Sequence, residues 1–150
     1  MSLSVYSPER YMQEAFKQAQ TAFEEGEVPV GAVIVSNNRI IARAHNQVEL
    51  LRDPTAHAEM LAITAAAESL GAKYLEDCVM YVTLEPCTMC AGALSWAQIS
   101  AVYYGASDSK RGYTIFGKSV LHPKTEVVTG IMAAECSQLL QDFFKQVRED

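Results

Sequence analysis

The sequence has little of what would mark a secreted, fibrous or membrane-spanning chain. Four cysteines in 150 residues are too few for a disulfide scaffold, and two of them belong to a motif described below. Eight glycines and five prolines, without period or clustering, exclude collagen-like and low-complexity architectures. No apolar run approaches the roughly 20 residues that a membrane-spanning helix requires. The opening segment Met1-Ser2-Leu3-Ser4-Val5-Tyr6 has neither a basic stretch nor an apolar core, so no secretory leader and no membrane association are expected, and a reducing, cytoplasmic setting is. Basic residues are the minority, 12 Lys and Arg against 18 Asp and Glu, for a net charge of −6. That balance excludes broad nonspecific affinity for nucleic acid and leaves room for a local basic patch. Internal repeats and linkers are absent. What remains, 49% hydrophobic and 20% charged residues, is the composition of an ordinary globular chain. Its length predicts a single domain over residues 1–150, burying about 68–70% of the surface of the unfolded chain.

Two short segments carry the chemistry. Pro54-Thr55-Ala56-His57-Ala58-Glu59 and Pro86-Cys87-Thr88-Met89-Cys90 supply one imidazole, two thiolates and a carboxylate. His57, Cys87 and Cys90 are ligand types that Zn²⁺ prefers, and three protein ligands leave a fourth position open, as catalytic zinc sites do and structural ones do not. Residues two apart in a helix interior face different sides, so His57 and Glu59 converge only at a helix tip. Pro54 and Thr55 predict that tip, with Thr55 as N-cap. Cys87 and Cys90 are one helical turn apart, and Pro86 marks a second helix start. Two helix N-termini would then favour thiolate ligands. Glu59 is expected not to ligate but to handle protons beside the water in the open position. Taken alone, Cys-x-x-Cys reads equally as a thiol redox pair or part of a zinc knuckle, and His-x-Glu alone carries no meaning. Together they match the signature of the zinc nucleobase deaminases.

The rest of the chain is read in order. Ser7-Pro8 opens a helix with the stripe Met12, Ala15, Phe16, Ala19, Ala22 and Phe23, which Gly26 ends. Strands are expected over 28–35 and 39–44, joined through Asn37-Asn38 in a tight hairpin. Asn46 reads either as a turn-former or, beside His57, as a hydrogen-bonding group for a ribose or base edge. His45 reads as a strand-end residue, not a ligand. A polar loop over 47–54 precedes a helix over 57–70, stopped by Gly71. Further strands are expected over 78–83, 101–104 and 126–129, with a helix over 88–96 and a last one from about 131. Gly92 inside the second-motif helix predicts a close approach of another element. Met89 and Trp96 read as core or as a subunit contact. Cys78 and Cys136 read as buried free thiols, and the stripe Cys136, Leu139, Leu140, Phe143, Phe144, Val147 as core packing. The irregular stretch 106–124 interleaves Lys110, Arg111, Lys118 and Lys124 with Tyr113 and Phe116. It reads either as an RNA-contacting loop or as a solvated loop with two ring anchors. Strand–helix alternation predicts an α/β fold, a three-layer αβα arrangement with helices on both faces of a mixed sheet.

Gly26-Glu27-Val28-Pro29-Val30-Gly31-Ala32-Val33, His45-Asn46, Asp53 to Glu59, and Tyr81 to Ala93 with its Pro-Cys-Thr-Met-Cys centre resemble the bacterial tRNA-specific adenosine deaminases. That group lies within the cytidine/deoxycytidylate deaminase-like zinc superfamily. Gly105 to Lys110 and Gly130 to Cys136 extend the resemblance, which runs from about Pro8 to Arg148. It implies a five-stranded sheet, one Zn²⁺ per chain, a homodimer, and hydrolysis of adenosine to inosine at the wobble position of a tRNA anticodon loop. It also implies that Asn46 and the Ala58 backbone hold base and ribose and that Asp108 contacts RNA, with Lys110 and Arg111 beside it. The chain departs from the pattern at Arg111-Gly112-Tyr113-Thr114-Ile115-Phe116, where the family often has small residues. The alternatives are a deaminase of a free base or nucleoside such as cytosine, guanine or cytidine, and a non-enzymatic zinc or redox module.

Overall fold

A computed structural model of the chain describes residues 6–149; Met1–Val5, which make up most of the segment read above for a leader, and Asp150 lie outside the described residues. The element order is α1 (Pro8–Glu24), β1 (Gly31–Ser36), β2 (Arg39–His45), α2 (Val48–Leu51), α3 (Ala58–Leu70), β3 (Cys78–Leu84), α4 (Thr88–Ala97), β4 (Ala101–Ala106), β5 (Glu126–Thr129) and α5 (Ala133–Glu149). The five strands form one sheet in the order β2-β1-β3-β4-β5. The β1 pairings with β2 and β3 are antiparallel, and the β3–β4 and β4–β5 pairings are parallel. The sheet is therefore mixed, and helices cover both of its faces.

Alternation along the strands sorts the two layers. Ala32 and Ile34 of β1, Met80 and Val82 of β3, and Val102 and Tyr104 of β4 pack with Ala58, Ala62 and Ala66 of α3 and Ala91 and Leu94 of α4. Val33, Val35 and Tyr81 turn the other way, onto Tyr11, Met12 and Ala15 of α1. Strands buried on both faces become near-continuous apolar runs, which is why β1 and β3 are so apolar. Buried alanines on α1 let helix and strand backbones come close. A Cβ on Gly31 would run into the backbone of Ala15 and Ala19.

Local signals behave as their chemistry demands. Ser7 caps α1 by accepting from the Arg10 amide at 3.2 Å, with Pro8 at the first helical position. Asn37 and Asn38 take φ of 51° and 61°, the paired positive values of a tight hairpin turn. Four expectations are corrected. The 47–54 loop contains the short helix α2. The first strand begins at Gly31 and not Val28, since Val30 N–H turns back to the Val28 carbonyl at 2.8 Å. Gly92 has no neighbour that a Cβ would meet, because it lies on the outward side of α4 with Met89 and Trp96; no element approaches it. On α5, Cys136 and Phe143 are buried but Phe144 and Val147 are exposed; the Phe143 ring packs edge-on against Phe23 of α1, and residues 144–149 after it are all exposed.

Candidate active site

The site forms where two loops leave the sheet. β2 leads through Asn46 and α2 to the start of α3, and β3 leads through Glu85 and Pro86 to the start of α4. His57 is the N-cap of α3 and Cys87 the N-cap of α4, both in extended backbone conformation. Thr55 is not the cap. Its amide and hydroxyl both donate to Asp53 Oδ1, at 2.8 and 2.7 Å, in a turn that ends before the helix. Neither cap side chain accepts a hydrogen bond from its own helix, which leaves the His57 ring and the Cys87 thiol turned toward each other.

His57 Nδ1 lies 3.7 Å from Cys87 Sγ and 3.6 Å from Cys90 Sγ. The donor atoms of the three residues all fall within 4.8 Å of one another, and among the described residues they form the one such cluster. Tetrahedral bonds of about 2.0–2.3 Å to nitrogen and sulfur place donors about 3.6–3.8 Å apart, so the cluster has the dimensions of a zinc site as well as its donor types. Hydrogen bonds from Cys90 and His57 hold the Cys87 thiol down to about 4. Cys90, the donor in that pair, is pushed up, and burial adds to the effect. The hydrogen bond with Cys87 raises His57.

Glu59 sits in the first turn of α3 and is 4% exposed. Burial pushes its carboxyl up to about 7, with the Cys87 charge adding to the shift. An acid poised there exchanges protons readily at neutral pH. Asn46 is buried at the end of β2, and its Oδ1 is the one buried side-chain oxygen or nitrogen among the described residues without a partner. Its position is fixed from both sides: its own amide donates to the Val30 carbonyl at 3.1 Å and the next amide, of Gln47, to Ala56 at 3.0 Å. The turn-former reading does not explain a buried, unsatisfied acceptor. Such groups mark the place of a missing partner. Ala58, the first residue of α3, is fully buried. His45 bonds Glu25 at 2.8 Å and stays out of the cluster, as expected, and Cys78 and Cys136 are free and buried.

The remaining sequence-predicted residues lie on the rim. Asp108 Oδ1 accepts from the Lys110 and Arg111 amides, both at 3.0 Å, so one carboxylate oxygen shapes the turn that carries the two exposed cations. Neither cation forms an ion pair among the described residues. Beyond them the chain makes two short 3₁₀ turns, Tyr113–Phe116 and Lys118–Val120. Tyr113 is buried as a ring anchor but Phe116 is 69% exposed. A concavity of about 660 Å³ over β4 and β5 is lined by Tyr104, Tyr113, Lys118, His122 and Thr129 among others. None of the cluster residues reaches it and no unpaired buried polar atom faces it.

Two buried carboxylates at the edge of the site escaped the sequence reading. Glu27 and Glu85 are buried carboxylates whose partners are all backbone or hydroxyl groups of the rim. Glu27 accepts from the Glu49 and Leu50 amides of α2 at 3.0 and 2.8 Å. Glu85 accepts from Asp108 and Thr114. The one signal in the sequence was an acidic residue beside apolar residues, Glu27 ahead of Val28 and Glu85 directly after Leu84.

Comparison with known proteins places the chain. A family model described as MafB19-like deaminase matches residues 6–148. The chain is 46% identical over 147 residues to a tRNA-specific adenosine deaminase of Aquifex aeolicus, covering 95% of this chain and 97% of that one. It is 45% identical over 146 residues to the protein of the same name from Bacillus subtilis, covering 94% and 91%. A solved structure from a study of A-to-I editing by tRNA:A34 deaminases at the wobble position of transfer RNA superposes with a TM-score of 0.82 at 43% identity, over 87% of this chain and 98% of that one.

Proposed function

This chain belongs to the MafB19-like deaminase family, and from that premise we propose that it hydrolyses adenosine to inosine at the wobble position of a tRNA anticodon loop. The observation that carries the reading is the buried Glu59 beside the His57, Cys87 and Cys90 donors, in a chain similar over almost its whole length to enzymes of that activity.

The donor set fits zinc in type, number and spacing, so His57, Cys87 and Cys90 would hold one Zn²⁺ per chain. When bound, that ion supplies Lewis-acid activation of a water at neutral pH. The protein's own groups do the rest. Glu59 accepts a proton from the attacking water and returns protons to the purine ring and to the amine leaving C6, so that adenosine and water become inosine and ammonia. The Asn46 Oδ1 accepts from the ribose or the base edge, and the Ala58 backbone closes the other side of the base. A base stacked in a duplex cannot reach such a pocket, whereas an anticodon loop splays its nucleotides at little cost. Asp108, Lys110 and Arg111 meet the flanking nucleotides, the two cations at phosphates.

The test is ammonia release from anticodon stem-loops with A at the wobble position, against free adenosine, cytosine, guanine and cytidine. Stem-loop turnover is expected to dominate. Efficient turnover of a free base with none of the stem-loop overturns the reading. Because few cations line the rim, affinity is expected to fall with salt along a shallow slope of about 0.7–0.9 per phosphate contacted.

We further propose a homodimer. Met89, Gly92 and Trp96 share the outer side of α4, where Trp96 is 84% exposed, and Ile115 and Phe116 are also exposed. An apolar patch of this kind marks an interaction surface. Trp96→Glu is expected to convert a dimer into a monomer in sedimentation; a wild-type monomer at full activity contradicts it. No described helix is long and apolar enough to cross a membrane, and a tRNA substrate supports a cytoplasmic setting.

A further inference from the structure

We propose that Glu85 is a positioning residue that clamps the RNA-facing loop 108–114 to the turn bearing the metal-ligand cysteines. The proposal rests on the tRNA reading above and deepens it.

Glu85 follows the last residue of β3 and precedes Cys87 by two positions. Its side chain is 3% exposed. A carboxylate taken out of water is costly unless its oxygens are bonded, and no cation approaches this one among the described residues. All of its side-chain bonds come from one loop. Oε1 accepts from the Asp108 amide at 3.0 Å. Oε2 accepts from the Thr114 amide at 3.1 Å and the Thr114 hydroxyl at 2.7 Å. The backbone repeats the attachment. The Glu85 amide donates to Ala106 at 2.8 Å and the Tyr113 amide to Pro86 at 2.9 Å. Cys87 and Gly112 form a short antiparallel bridge, and a Cβ on Gly112 would run into the Glu85 carboxylate. Glycine is thus required there by close approach, in the middle of the stretch that departs from the family pattern.

The bonds run in series. Glu85 fixes the Asp108 backbone, and Asp108 Oδ1 fixes the Lys110 and Arg111 amides. Two exposed cations are thereby held at a set place relative to Cys87. A loop ordered before the RNA arrives avoids the entropy of ordering on binding, so the clamp is expected to act on KM. The donor cluster and Glu59 sit on α3 and α4, so turnover is expected to change little.

Glu85→Gln keeps the shape but turns a donor NH₂ toward either Asp108 or Thr114. Amides 108–114 are expected to exchange hydrogen at least about tenfold faster, and KM for the stem-loop to rise about tenfold, the equivalent of roughly 1.4 kcal/mol, with kcat within about threefold and zinc content unchanged. Glu27→Gln removes an equally buried carboxylate that bonds only the α2 amides and is expected to leave exchange in 108–114 at the wild-type rate. Thr114→Val, which deletes only the 2.7 Å bond, is expected to give a smaller rise in both readouts and decides the matter should Glu85→Gln fail to fold. Wild-type exchange and KM in these variants, or a fall in kcat at constant KM, overturns the clamp. Amide exchange needs no RNA, so a loosened loop in an enzyme that ignores the stem-loop upholds the clamp and rejects the tRNA reading.

Discussion

Glu59→Gln yields a folded, metal-loaded protein whose kcat is lower by about 10²–10⁴-fold. The amide has the size of the carboxyl and fills the same buried space in the first turn of α3. It cannot take up a proton from water or hand one to a leaving amine. Fold is retained because the variant removes a group whose ionised form is disfavoured by burial; the melting temperature is expected to hold or rise, the common result when a strained catalytic group is neutralised. Stopped assays on the stem-loop, with metal content and melting curve measured on the same preparation, decide the matter. Near-normal turnover in a zinc-loaded variant rejects Glu59 as the proton carrier.

Cys87→Ala is expected to abolish stoichiometric metal binding and activity with it. Wild type should carry about one zinc per chain, since three protein donors with one open position is the catalytic pattern. The variant leaves two donors, and it removes the thiolate that its neighbours hold at about 4. Alanine caps α4 no worse than Cys87, which makes no side-chain cap bond, so the helix itself should survive. Cys136→Ala, at a buried thiol outside the cluster, is the matched control and should retain its metal. Elemental analysis of the three proteins reads the result. A wild type that is zinc-free and fully active sinks the ligand assignment, as does unaltered zinc in the variant.

The approach of His57, Cys87 and Cys90 could be read from the sequence because each half of the cluster is local. His57 and Glu59 lie within one helix tip, and Cys87 and Cys90 within one turn, so spacing alone fixes their geometry. The Asn37-Asn38 hairpin was legible for the same reason, as was the Ser7-Pro8 cap. Failures came where a residue's role depends on groups far along the chain. Glu85 bonds amides that follow it by 23 and 29 positions, and Glu27 bonds amides 22 and 23 positions on; no periodicity reports such partners. Thr55 failed as a cap because Asp53, two residues earlier, offered its amide and hydroxyl a nearer acceptor. Gly92 was taken as a contact with another element, yet a glycine says only that a side chain is missing. The α5 stripe runs on past Phe143, the last buried residue of the helix, since amphipathic spacing marks a face without saying what covers each turn of it. Asn46 carried two readings in the sequence, and its burial with an unpaired Oδ1 favours the hydrogen-bonding one.

The chain has one tryptophan, and the fold leaves it almost bare on the outer side of α4. An indole in water emits at longer wavelength than one pressed against another surface. For the proposed homodimer Trp96 is therefore a built-in optical gauge: as the protein is diluted, its emission should shift to the red at the concentration where one chain lets go of another. The colour of a single ring would report the assembly equilibrium without a label.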